Sequence, residues 1–203
     1  MSGNSALGGY GKVRWRRFAL MLAPAVAAAA VLMVLTAQSV LAVSFAISGI
    51  PFVVTASELH GQGFEQFGVL DHSIVNQLPG NTNQIVLTAN AIRSAQLSNL
   101  CQSVQLGGLS LRITAGNGGS PVTATDLVVD ADRLSGSVAS FNHVTIGQDA
   151  STLTEVPGVK GPPGDFSLAA QSITISHLRQ HAYATTAGTF TLPGFSLSFG
   201  SPC

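Results

Sequence analysis

Charge is scarce in this chain: 9% of its residues are Asp, Glu, Lys or Arg, where a soluble domain carries roughly a quarter. Together with 46% hydrophobic residues, that argues against disorder, which low hydropathy and high charge sustain. Basic residues are scarcer still beyond the N-terminus. Lys12, Arg14, Arg16 and Arg17 precede position 18, every acidic residue follows position 57, and from Val43 onward five basic residues stand against nine acidic ones. Phosphate recognition needs clustered cations, so a nucleic-acid surface is excluded there. Cysteine is limited to Cys101 and Cys203, which leaves no CxxC pair for redox chemistry or zinc. Helical periodicity is nearly missing, and 203 residues leave room for one domain with a short appendage.

What is present begins with an uninterrupted apolar run from Phe18 to Leu35, behind the cationic cluster Lys12–Arg17. The run approaches the roughly 20 residues that span a bilayer, while Val40-Leu41-Ala42 offers a signal-peptidase site. Residues 18–42 therefore read as one transmembrane helix or as a signal peptide. In either case the basic flank 1–17 stays in the cytoplasm and residues 43–203 are exported. The protein is expected in the cytoplasmic membrane with its N-terminus inside, or secreted if cleaved before Val43. Exported cysteines meet an oxidising compartment, so a Cys101–Cys203 disulfide is expected, with a free thiol or an intermolecular bridge as alternatives.

After position 43 the pattern alternates with the period of a strand. Val43, Phe45 and Ile47, then Phe52 and Val54, flank the turn signal Gly49-Ile50-Pro51, so residues 43–57 read as a hairpin. Similar alternation recurs at Ile85–Ala89, Leu109–Thr114, Leu127–Ala131, Val144–Ile146, Ile173–Ile175 and Phe190–Phe199. Only Asn90–Val104, through Ile92, Ala95, Leu100 and Val104, offers a helix. The expected fold is all-β and antiparallel, of about ten strands, a sandwich or a curved, solenoid-like sheet preceded by the N-terminal transmembrane or signal helix.

Four segments resemble one another: Val54–Leu59, Leu87–Ile92, Val129–Leu134 and Ile173–Leu178. In each, alternation breaks after the strand, so that a bulge or corner delivers the last aliphatic residue to the core. Glycine and proline cluster at residues 61–68, 116–121 and 156–164, and the last cluster reads as a surface excursion.

Several motifs carry a family resemblance: Leu100-Cys101-Gln102-Ser103-Val104, Gly61-x-Gly63-Phe64, Asn142-x-x-x-Ile146-Gly147-x-Asp149-Ala150, and Ala184-Thr185-Thr186-Ala187-Gly188-Thr189-Phe190-x-Leu192-Pro193-Gly194 with the terminal Cys203. They resemble an exported actinobacterial family of unknown function, prominent in Streptomyces, whose members sometimes carry the label cholesterol esterase. The resemblance covers essentially the whole chain. It implies export and, as a partner, a small polytopic membrane protein; it implies no catalytic residue.

The esterase label finds no support in the residues, because a serine hydrolase elbow needs Gly-x-Ser-x-Gly. Gly194-Phe195-Ser196-Leu197-Ser198 lacks the second glycine, and Phe166 interrupts Gly164-Asp165-Phe166-Ser167-Leu168. His177 and His181 share a face at metal-ligand spacing without a third ligand, and read as polar surface histidines. Asp130 and Asp132, with Asp126, suggest calcium but read as a solvated face, and His60, His143 and His72 beside Asp71 are isolated. No catalytic residue, cofactor or metal is expected. The residues Phe45, Ile47, Phe52, Val54, Leu109, Leu111, Ile113, Phe190, Leu192, Phe195, Leu197 and Phe199 form an inward face that fills a core or lines a groove. A sheet so poor in charge lacks edge protection. The function expected is therefore non-catalytic interaction or assembly at the outer face of the cytoplasmic membrane, with membrane, lipid, the polytopic protein or a second copy as partner. Lipid binding is the alternative, and a lipid esterase the second.

Overall fold

Alternating aliphatic and small polar residues form strands almost throughout the computed structural model, which describes residues 50–71 and 85–203. Segments 1–17 and 18–42, with the expected N-terminal helix, lie outside the described residues, as do Phe45, Ile47 and His72. No helix long and apolar enough to cross a membrane lies among the described ones. The strands are β1 (Phe52–Asp71), β2 (Ile85–Ser98), β3 (Leu100–Leu106), β4 (Leu109–Ala115), β5 (Val122–Ser135), β6 (Val138–Asn142), β7 (Thr145–Asp149), β8 (Phe166–Thr186), β9 (Thr189–Thr191) and β10 (Ser196–Gly200). All ten belong to one sheet, and every pairing is antiparallel. The segment 90–104 is strand rather than helix.

The sheet closes on itself, because β1 pairs β2, β2 pairs β5, β5 pairs β8, and β8 returns to β1. It is a curved sheet and not a sandwich of two. Phe67 is bonded opposite Ala89, Ala89 opposite Asp130, and Asp130 opposite Ala184, yet on its other edge Phe67 faces Ser167. The circuit thus closes displaced by most of a strand length. Stagger and tilt are linked in a closed sheet, so these long strands run steeply across its axis, as coils rather than staves.

Residues reach the interior in alternate steps of two and three. On β1 they are Val54, Ala56, Leu59, Gly61 and Phe64; on β8 they include Ala170, Ile173, Ile175, Leu178 and Gln180. Each three-residue step turns a corner, and at several of them a residue in the left-handed region sits: Gly63, Asn99, Asp126 and His177. Side chains support the corners, with Asn99 Nδ2 donating to Ser57 Oγ at 2.9 Å and Ser57 Oγ donating to the Ser98 carbonyl at 3.1 Å. The expected corner is therefore present at Val54–Leu59, Val129–Leu134 and Ile173–Leu178. The β2 segment departs from it. There Ala89 and Ala91 face a second core, and Ile92 turns to the interior.

That second core overturns the reading of residues 156–164 as a surface excursion. Residues 150–164 form a strap across the outside of the sheet, burying Leu153, Val156 and Val159 against Phe67, Ala89, Ala91, Val128 and Ala169. Gly161 makes close approach possible, since a Cβ there would lie 2.8 Å from the Phe67 ring. The first strand of the expected 43–57 hairpin lies outside the described residues, while Phe52–Thr55 of its second strand is hydrogen-bonded to β3 on one edge and β8 on the other.

Candidate functional site

Strands β3, β4 and β10 form an arm that leaves the closed sheet, joined to it through the pairing of β3 with Phe52–Thr55. Directly opposed residues on paired strands share a face. One such row runs Phe52, Val104, Leu111, Phe199; the next runs Val54, Gln102, Ile113, Leu197; Leu106 opposes Leu109 at the tip. The face is the continuation of the core: Leu100 and Ala115 are buried at its base, and exposure rises outward. Leu109 is 61% exposed, Leu197 54% and Phe199 65%. Gln102 is its polar member, and no charged residue stands in these rows.

The other face of the arm is polar, carries Arg112 opposite Ser103 and Ser198, and is covered in part. Ser103 and Ser110 are buried there, beneath a C-terminal tail held by the Cys101–Cys203 disulfide, whose Cα atoms are 5.8 Å apart. The Cys203 amide donates to Ser103 Oγ at 3.1 Å, and Arg179 Nη1 donates to the Cys203 carbonyl at 3.2 Å. The usual polarity of a sheet is thereby inverted, with apolar residues toward solvent and serines beneath the chain. Leu109, Leu111, Ile113, Phe195, Leu197 and Phe199, expected on an inward face that fills a core or lines a groove, line this open face or its margin. Phe52 and Val54 do reach the core, Leu192 packs against it, and Phe190 is partly exposed.

Residues 48–203 match a family described as a family of unknown function, DUF6230. The chain belongs to that family. No curated protein and no solved structure matches it. The arm, the closed sheet and the strap all fall within the matched DUF6230 region.

Among the described residues, the core of this DUF6230 domain is packed by its own side chains around one small cavity. Leu59, Phe64, Ile92, Leu127, Ile175 and Leu178, with the buried amides of Asn90 and Gln180, leave space for about one water. Asn90 is satisfied, donating to the Val129 carbonyl at 3.1 Å and accepting from Gln66 Nε2 at 2.6 Å.

The ionisable residues do not converge. His181 Nδ1 bonds Asp132 Oδ1 at 2.7 Å beside the edge of the Tyr183 ring. Desolvation, then the Asp132 charge, raises the Tyr183 hydroxyl above its ordinary pKa. A His–Asp pair can orient a general base. No hydroxyl among the described residues is bonded to His181, however, and Ser167 is buried, donating to the Gln148 carbonyl at 2.7 Å. His177 occupies a corner against Ser137 Oγ at 3.0 Å, so the two histidines have separate partners. Asp130 is buried rather than solvated, a correction that follows from its place between β2 and β8. His60 bonds Thr174 and Glu58, and His143 is exposed. No three metal-ligating residues gather among the described residues.

Sequence reasoning did not single out Glu65. Its side chain is fully buried on β1 under the strap, where Oε1 accepts the Val156 amide at 3.0 Å. Burial pushes its pKa above the ordinary carboxylate value, against the lowering effect of backbone hydrogen bonds.

Proposed function

We propose that the protein is a non-catalytic component of the cell envelope, held at the outer face of the cytoplasmic membrane by residues 18–42, whose β domain serves interaction or assembly. One observation carries the reading: the arm exposes Leu109, Leu197 and Phe199 in rows that hold no charged residue, on a face that a solitary domain would cover. The apolar run behind Lys12, Arg14, Arg16 and Arg17 supports the membrane placement. A carrier that encloses its lipid is disfavoured by the packed core, whose cavity beside Phe64 and Leu178 has room for about one water. Esterase chemistry is disfavoured because no hydroxyl among the described residues is paired with the His181–Asp132 couple.

Washing membranes of cells producing the full chain with alkaline carbonate tests this placement. The chain is expected to stay with the membrane and to yield its β domain to protease added from outside. Recovery of a soluble chain beginning at Val43 would contradict anchoring. Turnover of a lipid ester, lost on substituting one Ser or His, would return the protein to the enzymes.

A further inference from the structure

We propose that the apolar face of the β3–β4–β10 arm lies against the lipid bilayer itself, seating the domain on the membrane that anchors it. The inference rests on the proposed reading of residues 18–42 as the anchor and names the partner of the arm. Nine residues, 43–51, separate that segment from Phe52, and a chain of this length reaches roughly 35 Å at most when fully extended. The start of β1 is therefore confined near the headgroups. Phe52 is also where the arm begins. The row Phe52, Val104, Leu111, Phe199 crosses three strand spacings, about 15 Å, so the exposed Phe199 is within the same short radius of the tether.

The chemistry of the face fits a lipid surface better than a charged partner. Leu106, Leu109, Leu197 and Phe199 project from it, and its rows contain no Lys or Arg to draw it to anionic headgroups. Insertion of apolar side chains into the interface is the driving force available, and it is weakly sensitive to salt. The polar serines and the disulfide-held tail lie on the side turned away.

The test places tryptophan as a depth probe in the full chain, with the native Trp15 changed to Phe. Phe199→Trp and Leu109→Trp occupy exposed positions on the arm, and Ser140→Trp occupies an exposed position on β6, at the far end of the strand order. The chains are reconstituted into phosphatidylcholine vesicles with brominated acyl chains. Both arm probes are expected to lose most of their emission, equally at low and high salt, while the β6 probe keeps its own. A chain retained after a carbonate wash whose arm probes emit like the β6 probe would overturn the bilayer contact and leave the face to a protein. Loss of the chain in that wash would instead overturn the anchor on which the inference rests.

Discussion

Glu65 accepts the backbone amide of Val156 across 91 residues of sequence, and this buried bond fixes the strap to β1. The same carboxylate has a second oxygen, Oε2, with no hydrogen-bond partner. An unpaired buried acceptor is costly, most of all when charged.

Glu65→Gln should accordingly stabilise the protein at neutral pH by about 1 kcal/mol or more, the neutral amide still accepting from Val156. Because burial raises the folded-state pKa, the contribution of Glu65 is full below its unfolded value and is lost as pH rises through the folded one. Urea midpoints should therefore show the native chain gaining on the variant as pH falls from neutral toward 5. Parallel profiles would count against a raised Glu65 pKa.

Asp149 closes the strap at both ends. Its Oδ1 accepts the Ser151 amide at 2.9 Å, and its Oδ2 accepts the Gly164 amide at 2.9 Å. These bonds hold its pKa below the ordinary carboxylate range, so its support is lost only as pH falls through that lower value. Asp149→Ala should open residues 150–164 to limited proteolysis while the closed sheet persists. Cleavage no faster than in the native chain would remove Asp149 from this role.

Gly63 and Gly107 both have positive φ, 67° and 66°, but their surroundings differ. A Cβ on Gly63 would stand 2.6 Å from the Glu155 carbonyl oxygen, whereas one on Gly107 would meet nothing within 4 Å. Gly107→Ala should cost about 1 kcal/mol from backbone strain alone, and Gly63→Ala about 1–3 kcal/mol more. Equal urea midpoints for the two variants would show that the strap does not press on Gly63.

Cys101 and Cys203 enclose about 100 residues, for which the chain-entropy model gives about 4–5 kcal/mol. The double change to Ser should lower the melting temperature and speed amide exchange in β3 and β10 before the β1–β2–β5–β8 circuit. Mass spectrometry of the native chain should find no alkylatable thiol. Two such thiols in the exported protein would contradict the bond.

The all-β class was legible because alternation dominates after position 43, and three of the four similar segments expose their corner directly in sequence. The same corners explain the mistaken helix at 90–104. Ile92 and Ala95, then Leu97 and Leu100, are three apart because a strand turning a corner skips two residues, and that step imitates one helical turn. Leu153, Val156 and Val159 carried the signal of the strap, hidden by the Pro and Gly around them. The open arm left no local trace. Leu109, Leu111 and Ile113 alternate as any core strand does, and only the absence of a covering layer distinguishes them, which is a non-local property. Glu65 was silent for the same reason, since its burial depends on Val156 far along the chain.

Native mass spectrometry of the full chain released from its own membranes, beside Leu109→Ser/Phe199→Ser, tests most directly whether the arm is an interaction surface. Both substitutions lie at exposed positions, so the variant should fold and keep its disulfide. The native chain is expected to emerge with bound lipid, a partner or a second copy, and the variant to emerge without it. A native chain that emerges as a bare monomer, indistinguishable from the variant, would contradict the account.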